Sequence, residues 1–485
     1  MTILTALLDE GGPIPAHRPF PRALVREATW QRAIGHLASG ELTLLSVWGD
    51  VGHVHMALLE DEDHRIAVLT LPCPDGTYPA IGQTHPPAIR LERAIRDLFG
   101  YDPVGLPDPR GWLDHRDGTA YAFLPVEGEG LHQIPVGPVH AGIIEPGHFR
   151  FTCDGETVVR LEQRLGYVHK GVDELFSGAP LDRAARLACR VSGDSAAALG
   201  LGFARAVEAA LGVVPPPRAV WLRALMAEME RVANHLGDFG AICNDASFTI
   251  IMAHCAVLRE RMLRAAHDAF GHRLIMDRIV PGGVTMDLDE ANRTAIAALA
   301  DDVRKKFTAL TLLYDRTASL QDRTVTTGIL KPELARQFGA GGYVGRASGR
   351  AFDSRKHPGY APYDSLSFEV PVLTEGDVNA RVWIRVREIG QSLNLIEQIL
   401  RDMPEGDIQT VVPAGSGEGM SLTETFRGDV LVWLRLNGGV VDRCHVRDAS
   451  WFQWPLLEAV IEGNIVADFP LCNKSFNCSY SGHDL

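Results

Sequence analysis

Two histidines stand eight residues apart in GPVHAGIIEPGH, His140 and His148, on backbone rich in glycine and carrying Pro146. Neutral imidazoles in such a loop are suited to binding a metal or passing protons, because imidazole titrates near neutrality. On composition alone, two loop histidines held by ordinary hydrogen bonds are the better fit. GYVHKGVDELF then sets His169 and Lys170 beside Asp173 and Glu174 at the start of a helix, a pattern that suits a proton relay or a capped helix end. The tail SFNCSYSGHDL gathers Cys478, Ser479, Tyr480 and His483. With Cys472 it offers two thiols and an imidazole, one donor short of a tetrahedral metal site. The eight cysteines (Cys73, Cys153, Cys189, Cys243, Cys255, Cys444, Cys472 and Cys478) include no C-x-x-C pair, which argues against a zinc ribbon or an iron-sulfur cluster held by this chain alone. Each reads as a small buried apolar residue. No G-x-G-x-x-G follows a strand and no Walker loop occurs; GAGG at 339–342 lacks the spacing of a phosphate loop.

The elements that must position these groups are legible as two regions. LTLLSVWGD and RIAVLTLPC have the pattern of strands and IRLERAIRDLFG that of an amphipathic helix, before the Pro-rich DPVGLPDPRG breaks the order. A loop-like composition through VEGEGLHQIPVGPVHAGIIEPG sets a boundary near residue 130, and HFRFTCDGETVVRLEQRLGYVH predicts a hairpin turning at Asp154-Gly155. From about residue 170 the helical period dominates: LDRAARLACR, ALGLGFARAVEAAL, AVWLRALMAEMERVANHLGDFGAI, MLRAAHDAFGHRL and NARVWIRVREIGQSLNLIEQIL predict a bundle of about five long helices. PPP at 215–217, PGG at 281–283 and loops such as PAGSGEGM interrupt it. On the central helix Glu228, Arg231 and His235 share a face, which predicts a buried ionic network that needs partners. The fold expected is α+β: a small N-terminal α/β domain over 1–130, then a large mainly helical domain over 131–485, a long-helix bundle with a peripheral β-hairpin.

At 485 residues two domains are the natural expectation, and 46% apolar with 22% charged residues describes a folded, soluble chain. Lys and Arg number 47 against 61 Asp and Glu, a formal charge of -14 with no basic run, so nucleic acid is not an expected partner. No run of 18 uncharged apolar residues occurs, and MTILTALLDEGG turns acidic too soon for a signal peptide. The expected location is the cytoplasmic face of a membrane, docked through other subunits.

The strings GPVHAGIIEPGHF, GYVHKGVDELF, EMERVANHLGDFGAICND, DRIVPGGV, GDVNARVWIRVREIGQSLNLIEQI and SWFQWPLL resemble the large subunit of group 4 membrane-bound nickel-iron hydrogenases of the hydrogenase-4 and formate hydrogenlyase type, and through them the 49-kDa subunit of complex I. RAIRDLFGYDPVGLPDPRGW resembles the 30-kDa complex I subunit, which this family often carries fused in front. The resemblance implies a small iron-sulfur subunit that supplies the terminal cluster, and membrane antiporter-like and quinone-module subunits, as partners. It implies no cofactor held by this chain alone.

Hydrogenases of this family bind nickel through four cysteine thiolates, from R-x-C-G-x-C early and D-P-C-x-x-C late, because soft anionic sulfur stabilises nickel and bridges it to iron. Here the early motif stands as RVSGDS, with Ser192 and Ser195 at the cysteine positions, and Cys189 three residues too early. The tail aligns Asn477 with the aspartate, Cys478 with the proline, Ser479 with the first cysteine and Gly482 with the second. Serine and glycine do not replace thiolates, so the resemblance implies no nickel-iron centre and no hydrogen turnover, with another metal at Cys472, Cys478 and His483 left open.

In complex I the corresponding cavity takes a quinone headgroup, helped by a loop histidine and a tyrosine after the early arginine. His140 or His148 could stand for that histidine, Ser192-Gly193 occupies the place of an Asp-Tyr pair, and Tyr480 is a candidate to reach the cavity from the tail. Arg427 in ETFRGD matches the arginine of the hydrogenase E-A-P-R-G motif that points into the cavity. Two readings follow. In one, His140, His148, His169, Arg427 and the tail, with Tyr480 and His483, line a cavity that binds quinone or relays protons in an ion-translocating oxidoreductase complex. In the other, the chain is a redox-inactive scaffold bridging an iron-sulfur subunit and the membrane arm.

Overall fold

The computed structural model describes residues 2–113, 120–142 and 144–485; Ile143, inside the histidine loop, lies outside them. Strands Thr43–Asp50, His53–Glu60 and Arg65–Pro72 form an antiparallel meander, with Arg22–Leu24 parallel to the third and Gly12–Pro13 at the edge. Thr43–Asp50 is buried along its whole length, and for that reason it reads as a nearly unbroken apolar run. The helix Ile89–Phe99 contacts this strand, and Gly100 ends that helix in the left-handed region at φ 71°.

A second sheet carries the predicted hairpin, His148–Asp154 with Thr157–Arg164 around Gly155. Its third strand, Leu131–Val136, falls in the stretch read above as loop. Pro135 and its half-exposed neighbours mask an edge strand, because proline is tolerated there and only one side is paired.

Four long helices, Pro217–Asp245, Thr249–Phe270, Glu290–Arg316 and Val378–Asp402, contact one another in a ring and form a bundle. Pro217 opens the first of them, where a missing N–H costs nothing, so the PPP stretch is a helix start. Glu290–Arg316 was not among the expected helices. Its buried stripe, Ile296, Leu299, Ala300, Val303, Phe307, Leu310 and Tyr314, is about one residue per turn wide in a charge-rich segment. LDRAARLACR, in turn, yields only the eight-residue helix Leu181–Ala188.

The bundle is accompanied by a five-stranded sheet built on Gly417–Glu424, Asp429–Asn437 and Val440–Arg447, with Ala179–Pro180 and His17–Arg18 at its edges. Its first strand begins inside the PAGSGEGM segment that glycine content marks as loop. Those glycines serve close packing: a Cβ at Gly419 would stand 1.9 Å from the Ala206 carbonyl oxygen of the helix Ala196–Leu211 lying on the sheet. The N-terminal and C-terminal sheets meet face to face, with Trp48 stacked on His445 at 5.0 Å and the Ser46 hydroxyl 2.9 Å from His445 Nε2. The architecture is α+β, as expected, with more sheet than a peripheral hairpin.

Candidate functional site

Two short segments bring the hydroxyls together. After the helix Leu181–Ala188 the chain turns through 189–195 into Ala196–Leu211, burying Ser192 and Ser195. At the other end of the sequence the helix Phe469–Phe476 stops at Asn477, whose φ of 44° is the left-handed cap conformation asparagine tolerates. The Asn477 amide donates to Asp238 Oδ1 at 2.8 Å, pinning the turn to the central helix. Ser479 then caps the last helical turn, Tyr480–Asp484, its Oγ accepting from the Gly482 N–H at 2.9 Å. The hydroxyls of Ser192 and Ser479 lie 2.8 Å apart. Ser192 donates to Asp194 Oδ1 at 2.8 Å, so a consistent chain of donors runs from Ser479 through Ser192 to Asp194.

Arg427 completes the cluster. It sits in the tight turn between Gly417–Glu424 and Asp429–Asn437, where Thr425 and Gly428 exchange backbone hydrogen bonds and Gly428 takes a φ of 137° that a side chain would resist. Its buried guanidinium forks onto Asp194, with 2.8 Å from Nη1 to Oδ1 and 2.5 Å from Nη2 to Oδ2. It also reaches the Ser195 hydroxyl at 3.3 Å and the Asn477 carbonyl. Burial pushes the Asp194 carboxyl up, and the Arg427 charge and hydrogen bonds outweigh it, holding the group below its ordinary value. Its side chain is 36% exposed against 3% for Arg427. The sequence reading does not single out Asp194 although it lies between the two serines; an acid between two hydroxyls in RVSGDS is the available signal.

The histidines are distributed around this cluster. His140 and His148 pin the two sides of their loop, His140 Nε2 lying 2.8 Å from the Gly147 carbonyl and His148 Nδ1 3.1 Å from that of Gly137. Burial lowers the basicity of His148, and its Nε2 is buried without a partner among the described residues. The loop touches the tail: a Cβ at Gly147 would stand 2.6 Å from Tyr480 Cε1, and Glu145 accepts from the Ser481 N–H. Tyr480 packs its ring on Trp454 at 4.8 Å. His169 bonds the Asp484 carbonyl at 2.8 Å. Lys170 Nζ donates to the Val191 carbonyl at 3.0 Å, tying the tail's surroundings to the early turn. His483 stacks on Trp451 at 4.2 Å and pairs with Asp484 Oδ1, and burial lowers its basicity. Beside His169 and Lys170 a cleft of about 1160 Å³ opens between the N-terminal sheet and the segment 166–177. The cavity adjoining Asp194, lined by Met229, Glu230 and Asn234, is about 20 Å³, space for about one water.

The donor set does not suit nickel-iron binding. Ser192, Ser195, Ser479 and Gly482 carry no thiolate, and a Cβ at Gly482 would lie 2.8 Å from Asp448 Cγ. Among the described residues no three His, Cys, Asp or Glu side chains are placed to hold a metal ion, so Cys472, Cys478 and His483 do not converge. Cys472 packs against Gly328, and burial raises the Cys478 thiol far above its ordinary value.

The shared face of Glu228, Arg231 and His235 does find partners. His235 Nε2 lies 2.8 Å from Glu388 Oε2, whose other oxygen accepts from Arg346 Nε at 2.8 Å. Arg346 continues to Glu424 Oε1 at 3.0 Å and Asp353 Oδ2 at 3.2 Å, and Arg355 joins Asp353 to Glu228.

The site is thus built from two segments beside the four-helix bundle, with a histidine hairpin against its tail. Residues 245–414 match the family described as respiratory-chain NADH dehydrogenase, 49 Kd subunit. The chain is 31% identical to formate hydrogenlyase subunit 5 of Escherichia coli, over 84% of this chain and 77% of that protein. It is 33% identical to the carbon monoxide-induced hydrogenase of Rhodospirillum rubrum, over 71% and 97%. A chain from the structure of the membrane-bound sulfane sulfur reductase, an archaeal respiratory membrane complex, superposes with a TM-score of 0.69 at 26% identity, covering 75% of this chain and all of that one. The chain belongs to the family of group 4 hydrogenase large subunits related to the 49-kDa subunit of complex I. No helix among the described residues is long and apolar enough to cross a membrane.

Proposed function

We propose that this chain is a nickel-free large subunit of a membrane-associated, complex I-like oxidoreductase that couples electron transfer to ion movement, and that its former metal position passes protons without activating hydrogen. The observation that carries the reading is the direct contact of Ser192 and Ser479 at 2.8 Å beside the Arg427–Asp194 fork, which fills the space between the early and late motifs. The cavity of about 20 Å³ beside Asp194 favours a proton path with one water over a quinone headgroup at this point. In this reading electrons reside on an iron-sulfur cluster of a small partner subunit. The cleft at His169 and Lys170, with exposed Val51 and Leu175 nearby, is the face on which we place that subunit, and antiporter-like membrane subunits lie beyond it at the cytoplasmic surface.

The test is the isolated complex. It is expected to contain far less than one nickel per chain and to neither evolve nor consume hydrogen; stoichiometric nickel sinks the proposal. The scaffold reading differs in one measurable respect. His169→Ala and Arg427→Ala are expected to leave the complex assembled and to abolish its turnover, whereas a pure scaffold would keep turnover intact.

A further inference from the structure

The ionic cluster in the core is short of one positive charge. Within ion-pair reach it holds the carboxylates Glu228, Asp353, Glu388 and Glu424 against the guanidiniums Arg231, Arg346 and Arg355, with every side chain at most 3% exposed. Arg205, the next cation, lies over the Tyr360 ring at 4.5 Å and forms no ion pair with these carboxylates. Asp429, on the neighbouring strand, is matched by Arg447. An uncompensated charge so deep in the core is costly, and taking up a proton removes it.

His235 is a poor home for that proton. Its Nε2 already serves Glu388, while Nδ1 has no partner among the described residues and the ring sits edge-on to Tyr343 and Phe426, so an imidazolium would bury an unpaired N–H. Glu424 is better placed. Oε2 is 3.1 Å from the Ser354 hydroxyl, which can turn from donor to acceptor once the carboxyl is protonated. Glu424 also lies three residues before Arg427, and Arg231 donates to the backbone carbonyls of both Glu424 and Thr425, the start of the turn that carries Arg427.

We propose that Glu424 is a proton-binding site of the core, a positioning residue whose ionisation is linked through this turn to the Arg427–Asp194 pair. The groups facing it are Arg231 from the central helix, Arg346, Asp353, Ser354 and Tyr360 from the 342–360 segment, and Asp429 on the neighbouring strand, with Glu228, His235, Arg355 and Glu388 joined to these through the other ion pairs of the cluster. Burial first, then Asp353, raises the Glu424 carboxyl to about 7 against the pull of Arg346 and Arg231. The inference stands whether or not the metal position passes protons, because it rests on the charge count and on the contacts of Glu424 and His235.

The experiment is pH-difference infrared spectroscopy of the full chain in its complex. A protonated-carboxyl stretch is expected to titrate with a midpoint near 7 and to disappear in Glu424→Gln. Its absence in the unmodified protein, or its survival in that variant, overturns the assignment. Should Glu424→Gln fail to assemble, Asp353→Asn removes the neighbouring negative charge that raises the carboxyl and is expected to lower the midpoint; an unmoved midpoint overturns it equally. Asp194→Asn, which deletes a charge from the linked pair, is expected to shift the midpoint downward, and no shift overturns the linkage.

Discussion

The cluster around Ser192 and the cluster around Arg346 lie at the two ends of one short segment, Glu424 to Arg427, and they meet the problem of buried polarity in opposite ways. At the first, neutral hydroxyls and a single ion pair fill the space, and its carboxylate, Asp194, keeps 36% of its side-chain surface in contact with solvent. At the second, seven charged groups share a region with almost no solvent access. The difference lies in what each surrounding permits. A site at the margin can be filled by small neutral groups that hydrogen-bond one another, whereas a charge in the core must be matched by charge or by a proton.

If that contrast is right, the largest effect comes from removing the cation that holds the core together. Arg346→Met leaves Glu388, Glu424 and Asp353 facing one another in a region that water does not reach, and is expected to cost about 3–5 kcal/mol. Denaturant unfolding of the purified chain measures it, and a loss of soluble protein at low temperature is the cruder sign. A cost below about 1 kcal/mol would mean that the cluster is hydrated in solution and that the two regions do not differ.

Arg427→Ala is the matching change at the margin. It takes away both Asp194 contacts and the donor to the Asn477 carbonyl, yet the freed Asp194 can hydrate. The expected cost is about 1–3 kcal/mol, clearly below that of Arg346→Met. Equal costs for the two arginines would break the comparison. Burial and the loss of its partner both act on Asp194 in the same direction, so its carboxyl should titrate at higher pH in this variant, readable by NMR of a selectively labelled chain.

The two regions also differ in how much the sequence betrayed. Helical spacing alone put Glu228, Arg231 and His235 on one face and implied partners, because three and four residues make one turn. It could not identify Glu388, Arg346 or Glu424, which reach the cluster from more than a hundred residues away through tertiary packing. At the margin the resemblance of RVSGDS and SFNCSYSGHD to the family motifs marks Ser192, Ser195, Ser479 and Gly482, while Asp194, neither at a ligand position nor part of an apolar period, is distinguished only by its pairing with Arg427. The strand Leu131–Val136 and the sheet starting at Gly417 were hidden for a simpler reason. Proline at an edge and glycine at a close contact give the composition of loops, and only the partner strand or helix shows otherwise.

The smallest expected effect probes the serine contact itself. Ser479→Ala removes the cap of the Tyr480–Asp484 turn and the donor to Ser192, for an expected loss of about 1 kcal/mol. Ser192→Ala removes the other half of the contact and the bond to Asp194. Combined, the two should cost less than their sum by about 0.5–1 kcal/mol, because each deletes the same 2.8 Å hydrogen bond. Strict additivity in a denaturant double-mutant cycle would mean that the hydroxyls do not meet in solution. The position would then be open to a ligand, a cavity in place of a closed contact.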